Sequence, residues 1–183
     1  MQKKPIPIID SFKTIQFDPT KKPLIICDID HTFIRCSHDF EHFYSRISGG
    51  TKYNPAYIVL HHDAVDMMNY AYANGFVRQT DPNGFAEMLK KIEQHGGKFM
   101  FLTARGAGHH QKTLGDLRKA GLEAPENYEI HYTNNNISKG EYLKRLGVVS
   151  KFEHVTFIDD NPLFLASVYK IFPQVNCYLF KYT

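Results

Sequence analysis

The sequence has few cysteines, no long apolar run and no basic cluster. These three features argue against a disulfide-rich protein, a membrane-spanning protein and a nucleic-acid-binding protein, respectively. The three cysteines lack CxxC spacing and are odd in number, so free thiols in a reducing compartment are the simpler interpretation. No apolar run approaches transmembrane length, and the basic N-terminal segment lacks the apolar region of a signal peptide. The net charge of +3 comes without a run of lysine and arginine, so we expect no nucleic-acid partner.

The remaining composition is that of an ordinary globular protein. Hydrophobic residues make up 43% and charged residues 22% of the 183 residues, which is enough for one domain with a substantial core. We therefore expect a single domain over residues 1–183 that is located in the cytoplasm and has no transmembrane segment. The sequence leaves the oligomeric state open.

Short apolar runs alternate with amphipathic segments from Leu24 onward. The runs predict strands at residues 24–27, 99–102, 128–132, 155–158 and 175–180. Apolar periodicity and capping residues predict helices at residues 85–92, 109–120 and 138–146, and a last helix that follows Asn161-Pro162. The alternation predicts an α/β fold with a doubly wound, Rossmann-like, mostly parallel sheet and helices on both faces.

One insertion interrupts this alternation at residues 33–82. It is rich in phenylalanine and tyrosine and contains the histidines His38, His42, His61 and His62. We expect an irregular flap, or minimal cap, over the edge of the sheet, with one helix near residues 63–73. The favoured interpretation is a satellite core of aromatics with histidines facing solvent rather than a metal cluster, because adjacent histidines cannot face one ligand from a regular strand.

Polar side chains follow the three most confidently predicted strands. They are Asp28, Asp30 and Thr32 after the first, Thr103 and Arg105 after the second, and Asp159 and Asp160 after the third. Two carboxylates that are two residues apart repel each other unless a cation or a proton offsets their charge. The pair Asp28 and Asp30 therefore indicates a metal site, a catalytic dyad or merely a solvent-exposed loop. Since ligands of open α/β sheets bind at the carboxyl ends of the strands, we expect these side chains to share one rim.

Lys139 occupies the first position of a capped helix, where the helix dipole disfavours a cation by about 0.3–1 kcal/mol. A lysine beside free backbone N–H groups makes a good anion site, and we expect it at a solvated rim. Carboxylates, a lysine and a threonine hydroxyl together match a site for Mg²⁺ and phosphate. In that interpretation Lys139 and Thr103 hold phosphate oxygens, one carboxylate attacks phosphorus and another moves the leaving-group proton.

These residues give the chain a resemblance to the haloacid dehalogenase (HAD) superfamily of phosphohydrolases. The motifs "DIDHT", "FLTAR", "SKG" and "FIDD" follow one another in the family's order. The resemblance implies that Asp28 is the nucleophile and Asp30 the general acid/base, with the Asp30 carbonyl facing Mg²⁺. It also implies that Thr103 and Lys139 bind phosphate and that Asp159 and Asp160 complete the Mg²⁺ shell. Arg105 is not a universal residue of the family and is a candidate substrate contact.

Two other folds share parts of this pattern. A two-component receiver carries its acidic pair first and its lysine last, whereas here an acidic pair follows Lys139. A manganese-dependent glycosyltransferase shares the DxD pattern but does not require this threonine and lysine.

The substrate is constrained by the short segment between Thr103 and Lys139, which has only 35 residues. That length excludes a large cap there and predicts a capless or minimally capped enzyme. We expect a phosphorylated protein as substrate, and the aromatic insertion favours phosphotyrosine. The alternatives are a HAD phosphatase of small metabolites and a phosphate-binding module with negligible turnover.

Overall fold

The predicted strands are present in the computed structural model, which describes residues 5–18, 20–36 and 76–181. Within these ranges the strands are β1 (Ile8–Ile9), β2 (Pro23–Cys27), β3 (Ile34–Cys36), β4 (Val77–Gln79), β5 (Lys98–Thr103), β6 (Glu129–Tyr132), β7 (His154–Asp159) and β8 (Asn176–Phe180). The five predicted strands are confirmed as β2, β5, β6, β7 and β8. The three short strands β1, β3 and β4 are additions, because two or three residues are too few to show a period.

Six of these strands form one sheet in the order β1-β8-β7-β2-β5-β6, in which all neighbours run parallel. Cys27 at the end of β2 is in register with Phe101 of β5 and Ile158 of β7. Because these central strands are aligned, the residues that follow them emerge at the same edge of the sheet. This is the doubly wound, mostly parallel architecture expected from the sequence.

Four α-helices lie in the described part of the chain, namely α1 (Pro82–Gln94), α2 (His110–Lys119), α3 (Lys139–Leu146) and α4 (Pro162–Ile171). The side chains of Asp81, Ser138 and Asn161 cap α1, α3 and α4 by accepting a hydrogen bond from a first-turn N–H. These caps satisfy amides that have no partner within the helix. None of the helices in the described ranges combines the length and the apolar character that a membrane span requires.

The helices cover both faces of the sheet. Side chains alternate between the faces of a strand, so Ile25 and Cys27 of β2 pack on one side and Leu24 and Ile26 on the other. The first cluster includes buried residues of α1 and α2, and the second includes buried residues of α3 and α4. Strand β2 is therefore packed between two separate apolar cores, and this packing fixes the position of its carboxyl end.

The insertion begins and ends in a small antiparallel pair, β3 with β4. The Thr80 hydroxyl donates to the Thr32 carbonyl at 2.6 Å, and the Thr80 amide donates to the Phe33 carbonyl at 2.9 Å. These bonds hold the base of the insertion against the end of β2. The predicted flap body, its helix near residues 63–73 and its histidines lie outside the described residues, so the flap stays a prediction.

The three cysteines Cys27, Cys36 and Cys177 are free and buried. The expectation of free thiols is therefore confirmed. Burial raises the pKa of the Cys177 thiol to about 12, which keeps it protonated and unreactive.

Candidate active site

The carboxyl edge of the central strands brings the predicted site residues together. Asp28 directly follows β2, and its amide donates to the Ile158 carbonyl of β7 at 2.9 Å. Asp159 is the last residue of β7 and Asp160 follows it. Thr103 ends β5, two residues beyond the Phe101 that is in register with Cys27, so it reaches the level of the segment that carries Asp28 and Asp30. The sheet register thus gathers residues that are far apart in the chain.

Lys139 lies at the centre of this edge between two carboxylates. Its ammonium donates to Asp28 Oδ1 and, at 2.7 Å, to Asp159 Oδ2. Lys139 and Asp159 are fully buried, and Asp28 is 5% exposed. The expectation that Lys139 sits at a solvated rim is wrong. A buried ammonium is tolerated here because two carboxylates replace the lost hydration, and they raise the pKa of Lys139 although burial itself lowers it.

The packing of α3 against α4 explains why Lys139 is buried. Ser138 caps α3 through the Glu141 amide, as the sequence predicted. The next residue after Lys139 is Gly140, whose amide donates to the Ser167 hydroxyl of α4 at 3.2 Å. The Phe164 ring of α4 lies with its centroid 4.7 Å from the Lys139 ammonium, which is a favourable cation–π distance. The start of α3 therefore packs closely against α4, and this packing buries Lys139 beside the carboxylates.

We expect Gly140→Ala to impair both folding and the site. A Cβ at residue 140 would stand 2.1 Å from the Ser167 carbonyl oxygen, so α3 and α4 would have to separate. Overpacking of this kind costs about 1–3 kcal/mol, and it would shift the neighbouring Lys139. Urea unfolding checks the stability, and turnover of an aryl phosphate checks the site.

Gly115→Ala is the matched control for this change. Gly115 lies in α2, and a Cβ there would meet nothing within 4 Å. The substitution should leave turnover unchanged and stabilise the helix by about 0.5–1 kcal/mol. A Gly140→Ala protein with wild-type stability and turnover would contradict the close-packing argument.

Three carboxylates form a cluster that fits a divalent cation. Oxygen atoms of Asp28, Asp159 and Asp160 lie within 4.8 Å of one another. Burial is the main cause that raises the pKa of all three, to about 6 for Asp159. Three carboxylates against one Lys139 ammonium leave two negative charges uncompensated, which one divalent cation would neutralise. Carboxylate oxygens are the hard ligands that Mg²⁺ prefers, so the donor set fits this metal.

Thr32 joins the first and last acidic segments of the site. Its hydroxyl oxygen accepts a hydrogen bond from the Asp160 amide at 2.9 Å and lies 3.4 Å from Asp160 Oδ1. The side chain is fully buried, so this contact is protected from water. The threonine of the "DIDHT" motif therefore fixes the chain that carries Asp160.

The Asp30 carboxylate contacts Arg105. The Arg105 guanidinium donates hydrogen bonds to both carboxylate oxygens of Asp30, from Nε to Oδ2 at 2.8 Å and from Nη2 to Oδ1 at 2.7 Å. The Asp30 charge nevertheless contributes to the raised pKa of Asp28, so the two carboxylates stay electrostatically coupled. Contact of Arg105 with a substrate stays a prediction.

Thr103 is connected to the pair of Asp30 and Arg105 through the backbone of Arg105. Its buried hydroxyl accepts a hydrogen bond from the Arg105 amide at 3.2 Å. The hydroxyl proton is not needed for that bond and can be donated to another acceptor. Binding of phosphate by Thr103 stays a prediction that this geometry permits.

Sequence reasoning missed two residues that complete the site. Phe164 follows Leu163 at the start of α4, and Asp116 lies in the middle of α2. Asp116 had a detectable signal, since it falls between Leu114 and Leu117 on the inward face of an amphipathic helix. A carboxylate within an apolar stripe requires a buried partner, and Arg105 is that partner at 2.8 Å. Phe164 could not be recognised from the sequence, because an aromatic residue in a helix that packs on the core is common.

Comparison with known proteins identifies the family of the chain. The family profile described as HAD superfamily, subfamily IIIB (Acid phosphatase) matches residues 6–156. A search of curated protein sequences finds no significant match.

Solved structures share the fold at low sequence identity. The Class C acid phosphatase from Bacillus anthracis superposes with a TM-score of 0.51 at 16% identity, over 87% of this chain and 66% of that one. Its tungstate-bound form gives a TM-score of 0.50 at 16% identity, over 87% and 67%. A hydrolase from Streptococcus pneumoniae TIGR4 gives a TM-score of 0.56 at 13% identity, over 89% and 94%. The chain therefore spans about two thirds of the Bacillus enzyme and nearly all of the Streptococcus one.

Proposed function

The chain belongs to the HAD superfamily, subfamily IIIB (acid phosphatase), and from that premise we propose that it hydrolyses phosphoric monoesters with Mg²⁺ through an aspartyl-phosphate intermediate. The observation that carries the proposal is the buried arrangement of Lys139 between Asp28 and Asp159, with Asp160 beside them. This arrangement offers a nucleophile, a fixed positive charge and a set of metal-binding oxygens at one point of the sheet edge.

Asp28 acts first, as the nucleophile. A carboxylate oxygen of Asp28 attacks phosphorus and the bond from phosphorus to the leaving oxygen breaks. Asp30, which must enter this step in its protonated form, donates its proton to that oxygen. Lys139 donates to Asp28, so a phosphoryl group bonded to Asp28 would lie beside the ammonium. The ammonium and the Thr103 hydroxyl then stabilise the charge on the phosphoryl oxygens.

The second step returns the enzyme to its starting state. Asp30, now a carboxylate, takes a proton from a water molecule as the water oxygen attacks phosphorus. The bond between phosphorus and Asp28 breaks, which releases inorganic phosphate and regenerates the Asp28 carboxylate. One carboxyl group thus serves as acid and then as base.

The residues that would hold Mg²⁺ are Asp28, Asp159 and Asp160 through their side chains and Asp30 through its carbonyl. When bound, the metal offsets the repulsion between these carboxylates and the phosphate and lowers the charge on the reacting phosphoryl group. Lys139 alone cannot do so, because its charge is already shared between Asp28 and Asp159.

The proposed substrate is a phosphorylated protein side chain, with phosphotyrosine favoured. The segment between β5 and α3 is occupied by α2 and β6, which leaves no room for a cap on that side of the site. An open side gives a macromolecular substrate access to Asp28. Small phosphate esters are the alternative substrate class.

A turnover screen with Mg²⁺ tests the proposal. Phosphotyrosine and phosphoserine peptides are compared with sugar phosphates, nucleotides and a nitrophenyl phosphate, and released phosphate is measured. Hydrolysis of any monoester supports the phosphatase, and the ranking of kcat/KM assigns the substrate class. Binding of phosphate without any turnover would favour the phosphate-binding module instead.

Removal of divalent metal should abolish turnover and lower stability. Excess chelator should stop hydrolysis of the nitrophenyl ester, and added Mg²⁺ should restore it. Mg²⁺ at 100 times its Kd adds about 2.7 kcal/mol to the folded state, which is on the order of 5–10 °C in Tm for a domain of this size. Differential scanning calorimetry of the chelated protein with and without Mg²⁺ measures this shift.

Two variants sharpen the metal test. Asp160→Asn removes one ligand charge and should reduce the Tm shift, whereas Asp18→Asn changes a carboxylate whose contacts with Thr20 and Lys21 are remote from the cluster and should leave the shift unchanged. Undiminished turnover in excess chelator would overturn the metal-dependent mechanism.

A further inference from the structure

Arg105 is shared between the active site and helix α2. Its Nε and Nη2 bind the two oxygens of Asp30, and its Nη1 donates to Asp116 Oδ2 at 2.8 Å and to Thr113 Oγ1 at 3.3 Å. A guanidinium presents its donors in one rigid plane. A shift of Asp116 would therefore change the plane in which Arg105 meets the Asp30 carboxylate.

Asp116 lies in a buried part of α2. Asp116 is 3% exposed and Thr113 is fully buried, and their spacing of three residues places them on one face of α2. Leu114 and Leu117 of the same helix are buried, and Leu117 belongs to the apolar core that includes β2 and β5. The Asp116 carboxylate is thus a fixed point to which the long arginine side chain is attached.

The Asp30 side chain is the most exposed of the three charged groups in this chain of contacts. It is 32% exposed, against 16% for Arg105 and 4% for Asp116. The terminal torsion of an aspartate is soft and covers a broad range of angles. The two hydrogen bonds from Arg105 restrict this rotation, and proton transfer requires a hydrogen-bond distance between the carboxyl and the leaving oxygen.

We propose that Asp116 is a positioning residue of the reaction, which holds Arg105 so that Arg105 orients Asp30 for proton transfer. The inference rests on the proposed phosphatase function. Asp116 does not touch the reacting atoms, and its effect passes through Arg105. Removal of Asp116 should therefore weaken the step in which Asp30 protonates the leaving group, beyond any loss of stability.

The leaving group provides a measurement that a merely structural role would not change. kcat/KM reports the steps up to departure of the leaving group. An alkyl alkoxide needs a proton from Asp30, whereas nitrophenolate leaves with little protonation. The ratio of kcat/KM for glycerol 2-phosphate to kcat/KM for nitrophenyl phosphate therefore measures how well Asp30 donates its proton.

The test compares four proteins, all assayed with Mg²⁺. General acid catalysis is worth 10²–10⁴-fold, so Asp116→Ala should lower the ratio by roughly tenfold or more. Asp116→Asn keeps an oxygen acceptor for Arg105 and should retain most of the ratio. Leu114→Ala damages the same helix without touching Arg105 and should leave the ratio at its wild-type value.

Each outcome has one interpretation. A folded Asp116→Ala protein with the wild-type ratio, or an equal fall in Leu114→Ala, would overturn the inference. If Asp116→Ala does not fold, Asp116→Leu replaces it, because leucine has a similar volume and cannot accept a hydrogen bond. A wild-type protein that hydrolyses neither ester contradicts the proposed function itself, so the two failures are distinguishable.

Discussion

Asp28→Asn is expected to reduce turnover to background, by roughly four orders of magnitude or more, with no covalent phosphoenzyme formed. The amide keeps the shape of the side chain but removes the attacking anion. The fold should be retained, because Lys139 still has Asp159 as its partner at 2.7 Å and one of three crowded negative charges is lost. Thermal unfolding in chelator should therefore give a Tm that is no lower than that of the wild type.

Asp30→Asn is the comparison that separates the two aspartates. With a nitrophenyl ester the first step needs little protonation, so Asp28 should still be phosphorylated. Water activation in the second step then fails, and phosphoenzyme should accumulate. Acid quenching followed by intact mass measurement detects the added phosphate. Wild-type rates in Asp28→Asn, or phosphate bound to Asp30, would contradict the assignment of roles.

Lys139→Ala is expected to cause a second large loss, both in turnover and in stability. Loss of the charge that faces the phosphoryl oxygens should reduce kcat/KM by a few hundredfold or more. Because Lys139 is fully buried between Asp28 and Asp159, its removal leaves two buried carboxylates without the ammonium that offsets their charges. Breaking a buried ion pair in this way costs about 3–5 kcal/mol, which urea unfolding of the chelated protein measures.

Lys144→Ala is the matched control, since Lys144 is exposed on the same helix α3. Its loss should change stability by less than about 1 kcal/mol and leave kcat/KM unchanged. Addition of Mg²⁺ should restore part of the stability of Lys139→Ala by neutralising the carboxylates, without restoring turnover. Near-normal turnover of Lys139→Ala would remove Lys139 from the catalytic machinery.

The long strands and the helix starts could be predicted because their signals are local. A continuous apolar run is enough to indicate a strand buried on both faces, and Ser138 with Glu141 or Asn161 with Pro162 is enough to indicate where a helix begins. The order of the acidic pairs, the threonine and the lysine along the chain likewise needs no coordinates. These features led from the sequence alone to the HAD-like fold and to the residues at its carboxyl edge.

The sequence by itself thus determined the five longer strands, the helices and the residues that meet at the sheet edge, since a parallel sheet with short connections leaves few other arrangements. Only the tertiary structure decided how those residues pair. Lys139 is buried because Gly140 lets α3 approach α4, and Arg105 binds both Asp30 and Asp116 of α2. Such pairings depend on the distance between helices that are remote in the chain, and no local pattern of residues encodes that distance.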